Sequence, residues 1–156
     1  MPGMKTYRSP SALFLMIAMV CLCGCAIVQN IHPVSSHHRI DKIYIVENHA
    51  VLMNAFLPEL QKQVEALGIK TEIVQPGQKL PSGAYTLEYT ANWNWTVAET
   101  LVYFNARVKY KEEVIGSVTY DCRGGVASPD KFGHTADKIH PLLRKLLGSA
   151  VPHSWW

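Results

Sequence analysis

The first forty residues contain no aspartate or glutamate, and the first acidic side chain is Asp41. This region also lacks an apolar run that would cross a bilayer comfortably, because a spanning helix needs about 20 apolar residues. The uninterrupted apolar run is 12–23 (ALFLMIAMVCLC), and Lys5 and Arg8 precede it. A positive start, a short apolar run and small residues after it are the parts of an export signal. Residues 1–24 are therefore predicted to be a signal peptide.

Cysteine is scarce, and three of the four cysteines lie together at the end of this run. The sequence Leu22-Cys23-Gly24-Cys25 resembles the lipobox of bacterial prolipoproteins, in which an aliphatic residue and two small residues precede the cysteine that is lipidated. A competing frame that ends at Cys23 places the bulky Leu22 next to the cleavage point. The resemblance therefore implies cleavage before Cys25 and attachment of lipid, palmitate included, to its thiol and new N-terminus.

The residue after Cys25 bears on the location. Ala26 stands there, where aspartate would imply retention at the inner membrane by resemblance to the sorting rules of enterobacteria. Two or more acyl chains anchor a protein stably. The expected location is thus the cell envelope, at the outer membrane and facing the periplasm.

Beyond residue 24 the chain has little net charge, with 13 basic and 12 acidic residues. A nucleic-acid partner is not expected without a basic excess. The 132 residues that remain suit one domain. We divide them into a lipidated N-terminus and tether (25–41), which lacks sustained periodicity and contains Pro33, a domain (42–148) and a C-terminal tail (149–156).

The domain opens with a predicted strand–helix–strand unit. Residues 42–47 (KIYIVE) and 69–75 (IKTEIVQ) are β-branched and apolar, as strands are. Between them a helix capped by Asn54 and stopped by Gly68 is predicted. Its apolar stripe is Leu52, Phe56, Leu60, Val64 and Leu67. The two strands should pair in parallel through a right-handed crossover.

Three alternating segments and a second helix follow. Apolar and polar residues alternate over 85–95, 102–110 and 114–122, which predicts an antiparallel meander with one buried face. The last helix runs to Leu147 and contains Pro141. Its stripe is Ile139, Leu142, Leu143, Leu146 and Leu147. The expected fold class is α+β: a two-layer sandwich of a mixed five-stranded sheet, in the order β-α-β-β-β-β-α, with two helices on one face.

The same segments carry a family resemblance. The strand 89–95 (YTANWNW), the strand end Tyr120-Asp121, Gly124-Gly125 and the final amphipathic helix resemble the small Sbal-type lipoproteins of proteobacteria. The likeness covers Lys42 to Leu147, with the Trp-x-Trp strand as its most specific part. Thr96 replaces the acidic residue of the family pattern. The resemblance implies the fold class and the envelope location, and it implies no activity.

No constellation of residues predicts catalysis or metal binding. His32, His37 and His38 lack the spacing of a metal site, so a solvated linker is the favoured interpretation. Asp121 with His134 or His140 could form a dyad, but Asp121 should lie on the wet face of the sheet and the last helix on the other. We expect no enzyme, no cofactor and no metal.

Cys122 and the tryptophans remain. The strand register places Cys122 on the apolar face, which favours a buried, inert thiol over a reactive one or a bond between chains. Trp95, at a hairpin end, and Trp155 and Trp156, after Pro152, are the candidate partner contacts. The first hypothesis is a non-enzymatic binding or scaffolding lipoprotein, whose partners are the membrane, through lipid on Cys25, and an envelope protein. The alternative is a small-ligand carrier or an enzyme.

Overall fold

The computed structural model describes residues 28–95, 99–123 and 133–151. The predicted signal peptide, Cys25, Gly124-Gly125, Trp155 and Trp156 lie outside these ranges. The described elements, in chain order, are β1 (Val28–His32), β2 (Lys42–Val46), α1 (Phe56–Glu65), β3 (Lys70–Val74), β4 (Tyr85–Asn94), β5 (Thr100–Tyr110), β6 (Glu113–Asp121) and α2 (Thr135–Leu147). In the described part, neither helix is long and apolar enough to span a bilayer.

All the described strands form one mixed sheet, in the order β1-β6-β5-β4-β2-β3. The unit β2-α1-β3 is confirmed, since its two strands pair in parallel. The antiparallel meander β4-β5-β6 is confirmed as well. Its second hairpin turns at Lys111 and Glu112, both of which have positive φ angles, of 50° and 66°. Only two residues connect these strands, which is the loop length at which such angles match the twist of the sheet.

The prediction of five strands is wrong, because the described sheet has six. The additional strand is β1, which pairs antiparallel with β6 and lies in the segment predicted to be a tether. The residues after β1 also belong to the domain. Val34 and Ile40 are fully buried, and their backbone N–H groups donate to the carbonyls of Leu146 and Ala150, each at 2.9 Å. The domain therefore includes residues 28–41 and does not begin at Lys42.

The core lies between one face of the sheet and the two helices. The predicted stripe of α2 is confirmed, since all five of its residues are buried. In α1 the buried residues are Phe56, Leu60 and Val64. The helix begins at Phe56 rather than after Asn54, so Leu52 precedes it and is 88% exposed. Pro58 is the third residue of α1, where its missing N–H costs no helical hydrogen bond.

A glycine in β6 tests the packing of the N-terminal segment. A Cβ atom on Gly116 would lie 2.6 Å from Val34 Cγ2 and 3.0 Å from the Val34 backbone nitrogen. Because Val34 is fully buried, the segment cannot yield without loss of packing. Gly116→Ala should therefore lower the free energy of unfolding by about 1–3 kcal/mol, measured by urea denaturation.

Gly133→Ala is the matched control for this prediction. Its new Cβ would meet only Lys138 Cε, at 4.0 Å. The control should unfold at or slightly above the wild-type urea midpoint. If Gly116→Ala is equally harmless, then the segment around Val34 does not pack on β6 as described.

Candidate functional site

The aromatic side chains along β4 change from buried to exposed at the C-terminal end of the strand. Tyr89 is buried, and Trp93 is partly buried with its ring centroid 5.0 Å from that of Phe56. Trp95, just beyond the strand, is 68% exposed. The alternation had predicted one face for Trp93 and Trp95. Instead the pairing with β5 shifts between Asn92 and Trp93, and β4 ends at Asn94.

Trp95 belongs to one end of the sheet that we call the Trp95 end. A row of paired residues crosses four strands there: Val28 of β1 pairs with Asp121 of β6, which pairs with Tyr103 of β5, which pairs with Asn92 of β4. Trp95 lies three residues beyond this row. Since β1 begins at the row, the chain enters the domain at the same end.

The row includes a charged cluster on the polar face. The Arg123 guanidinium donates to both carboxylate oxygens of Asp121, at 2.9 and 2.6 Å, and lies 4.3 Å from the centroid of the Tyr103 ring. These hydrogen bonds hold the pKa of Asp121 at about 2, well below its usual value. An ionised, arginine-paired carboxylate is a poor general base at neutral pH. Asp121 is thus partnered by Arg123, whereas His140 bonds Gln63 at 2.8 Å.

A cleft of about 360 Å³ opens between the N-termini of α1 and α2. Phe56 and Trp93 supply its apolar wall, and Glu59, Gln63 and His134 are among its polar residues. The indole N–H of Trp93 points toward Thr135 Oγ1, at 3.5 Å. The volume lies in the range of small-molecule sites, and an aromatic wall with a few polar groups is their usual composition.

Two further clefts, of about 420 and 400 Å³, meet at the carboxyl ends of the parallel strands β2 and β3. Glu47, Asn48, His49 and Tyr89 line both. In open sheets with parallel strands, ligands bind outside such strand ends. Here two of the lining residues already have hydrogen-bond partners: the Asn48 amide donates to the Tyr89 carbonyl at 2.7 Å, and Glu47 accepts from the amide of Gln75 at 2.5 Å. Burial raises the pKa of the Tyr89 hydroxyl, which keeps it protonated.

The open face of the sheet carries paired charges. Glu88 accepts from Lys109 at 2.6 Å and from Arg107 at 3.4 Å, and Lys42 donates to Glu72 at 2.6 Å. These pairs cross between neighbouring strands and stabilise the sheet modestly.

Two histidines of the N-terminal segment have defined places in the sheet. His32 is the last residue of β1, and His38 packs at the end of the sheet away from Trp95, with its ring centroid 5.9 Å from that of Tyr85 and 5.6 Å from that of Tyr110. Within the described ranges, no three His, Cys, Asp or Glu side chains are placed to hold a metal ion together.

Cys122 is buried, as the register predicted, with 1% of its surface exposed. Its Sγ lies 3.4 Å from the Val102 carbonyl oxygen, which accepts a weak hydrogen bond from the thiol. Reaction with a thiol reagent requires access that this position denies. Maleimide should therefore label Cys122 only after denaturation, as followed by mass spectrometry. Rapid labelling of the native domain would contradict the burial.

No family model matches this chain, and no curated protein does. Among solved structures, the chain is similar to the PelC dodecamer from Paraburkholderia phytofirmans, with 15% identity and a TM-score of 0.49 over 80% of this chain and 96% of that one. A single-substitution form of that dodecamer gives 17% identity and a TM-score of 0.48 over 80% and 95%.

Some of these residues are predictable from the sequence and others are not. Trp95, a predicted partner contact, is exposed at a hairpin end. The clefts beside Asn48 and His49 were missed. Their only sequence signal was the break after a predicted strand, at a position where parallel strands end.

Proposed function

We propose that this protein is an outer-membrane lipoprotein, anchored through lipid on Cys25 and facing the periplasm, that acts as a non-enzymatic binding or scaffolding module. The lipobox-like sequence Leu22–Cys25 after a short apolar run carries the anchoring part of the proposal. Ala26 supports sorting to the outer membrane.

The described residues favour binding over catalysis. Asp121, the one carboxylate weighed as a general base, is held ionised by Arg123. Asn48 and Glu47, which line the clefts at the ends of β2 and β3, already have hydrogen-bond partners. Trp95, by contrast, leaves most of a large aromatic surface in water, and tryptophan is favoured at binding surfaces.

A second candidate function rests on the cleft between the helix N-termini. Its aromatic wall of Phe56 and Trp93 beside Glu59 and His134 suits a small amphipathic ligand. In that case the protein would be a small-ligand carrier or an enzyme. A ligand there would touch Trp93 and raise the melting temperature by mass action.

Membrane fractionation tests the proposed location. On a density gradient the full chain should travel with the outer membrane, stay in the pellet after an alkaline carbonate wash and dissolve in detergent. Protease should reach it only after the outer membrane is permeabilised. Recovery in the soluble periplasm, or release by carbonate, would contradict the anchor, and recovery in the inner membrane would contradict the sorting.

The C-terminal tail is the proposed place for a protein partner. Pro152 prevents a helix from continuing, and Trp155 and Trp156 would be an apolar liability if nothing covered them. If a partner covers them, deleting residues 152–156 should abolish capture of that partner from envelope extracts and leave the melting temperature unchanged. If the domain covers them, the deletion should lower stability, since burying one aromatic side chain contributes roughly 1.5–3 kcal/mol. If both the capture and the melting temperature are unchanged, then neither a partner nor the domain covers the tail.

A further inference from the structure

The link between the lipid and the sheet is short. Cys25 precedes Val28, the first residue of β1, by only three residues. Three residues span at most about 11 Å when fully extended. A tether that ran from Cys25 to Lys42 would have reached roughly 55–60 Å at the same rise per residue. Because β1 belongs to the sheet, lipid on Cys25 would hold the domain directly against the bilayer.

The register fixes which end of the domain meets that surface. The row Val28–Asp121–Tyr103–Asn92 crosses the sheet, and the chain toward Cys25 departs from this row. Trp95 lies three residues past Asn92, or about 10 Å at the rise of a strand. Three strand spacings separate β1 from β4, or about 14 Å. Trp95 therefore lies on the side of this row from which the chain leaves Val28 toward Cys25.

The exposed residues at this end suit a lipid interface. Trp95 is 68% exposed and Val28 is 55% exposed. Tryptophan, with an apolar body and one N–H donor, favours the headgroup level of a membrane. The charge of Arg123 is balanced by Asp121. The attraction of this end of the sheet to a lipid surface is therefore assigned to its apolar and aromatic side chains.

We propose that the Trp95 end of the sheet lies on the membrane and that the Trp95 indole inserts at the lipid headgroup level. The proposal rests on the proposed lipidation of Cys25. It commits Trp95 to a lipid surface rather than to a protein, because the short link places that surface within reach whenever the anchor is in the bilayer. The opposite end, with Tyr110 and the Lys111-Glu112 turn, then faces away from the membrane.

Fluorescent labels at the two ends of the sheet test this orientation. The full chain is made with its lipid and reconstituted into vesicles of phosphatidylethanolamine and phosphatidylglycerol. An environment-sensitive dye is attached at Trp95→Cys, and at Lys111→Cys as the matched control, with the unsubstituted protein as the blank for buried Cys122. Lipids that carry a quencher near the headgroup should quench the label at position 95 several-fold more than the label at position 111.

Intrinsic fluorescence supplies a second readout that keeps the indole in place. In a background of Trp155→Phe and Trp156→Phe, brominated lipids should quench part of the emission, and the further change Trp95→Phe should remove that part. Equal quenching at positions 95 and 111, or stronger quenching at 111, would overturn the orientation. A label at 95 that is shielded from water but not quenched by lipid would overturn it too, because a protein surface then covers it. A chain without acyl mass on Cys25 refutes the proposed anchor instead, and the mass of the same sample separates the two failures.

Discussion

Replacing Cys25 with serine is expected to abolish membrane anchoring. The sulfur of Cys25 forms the thioether to the diacylglycerol, and it reacts as the thiolate. A serine hydroxyl does not replace it as a nucleophile at neutral pH. Without the lipid, cleavage should also stop. The variant should accumulate as a precursor that retains residues 1–24, seen as a larger band on a gel and as the corresponding intact mass.

Cys23→Ser is the matched control for that variant. Cys23 lies two residues earlier, and serine is a small residue of the kind a lipobox accepts there. The control should be cleaved, lipidated and anchored like the wild type. The pair also separates the two frames, since the competing frame makes Cys23 the lipidated residue. If Cys23→Ser blocks anchoring and Cys25→Ser does not, then the predicted attachment site is wrong.

The largest loss of stability is expected from Phe56→Ala. Phe56, the first residue of α1, is only 2% exposed and lies at the centre of an aromatic cluster. Its ring centroid is 5.0 Å from that of Trp93, 5.5 Å from that of Tyr89 and 5.9 Å from that of Phe104. Truncation would leave a cavity between α1 and the sheet. The free energy of unfolding should fall by about 3–5 kcal/mol, measured by urea denaturation, which is much of a typical total of about 5–15 kcal/mol.

Leu52→Ala is its control, because the sequence had placed both residues on the same helical stripe. Leu52 is 88% exposed, so its truncation should change the unfolding free energy by less than about 0.5 kcal/mol. Equal losses for Leu52→Ala and Phe56→Ala would mean that α1 begins earlier and buries both side chains.

The central strands and both helices were predictable because their patterns are local. On the predicted apolar face of β5, Phe104, Ala106 and Val108 are buried, as period-2 alternation requires, and Val102 and Tyr110 are partly buried. In α2, spacing near 3.6 residues marks the buried stripe. Neither prediction depends on which strand lies beside which.

The strand β1 was not predictable in this way, because its pairing is non-local. Its sequence, VQNIH, lies at the sheet edge, and only Ile31 packs against the core, so no alternation of buried and exposed residues appears. What holds the segment is β6, about ninety residues later, and the carbonyl of Leu146. The clefts beside Asn48 were not predictable for the same reason, because they form where β2 and β3 end next to β4 and this strand pairing is non-local.

The exposure of the Trp95 side chain was only partly predictable from the sequence. Alternation placed it on the apolar face with Trp93, but where the face ends depends on the shifted pairing after Asn92. Trp93 meets Phe56, whereas Trp95 has passed the end of the strand. Trp93 and Trp95 therefore differ in burial, although the alternation places them on one face, because β4 ends between them.

The intact mass of the protein extracted from outer membranes tests the central claim, the lipid anchor on Cys25, most directly. The account predicts a chain of residues 25–156 whose mass exceeds that of the polypeptide by a lipid modification, with the added mass confined to the peptide that begins at Cys25. A mature chain that starts at another residue and carries no acyl mass would contradict it.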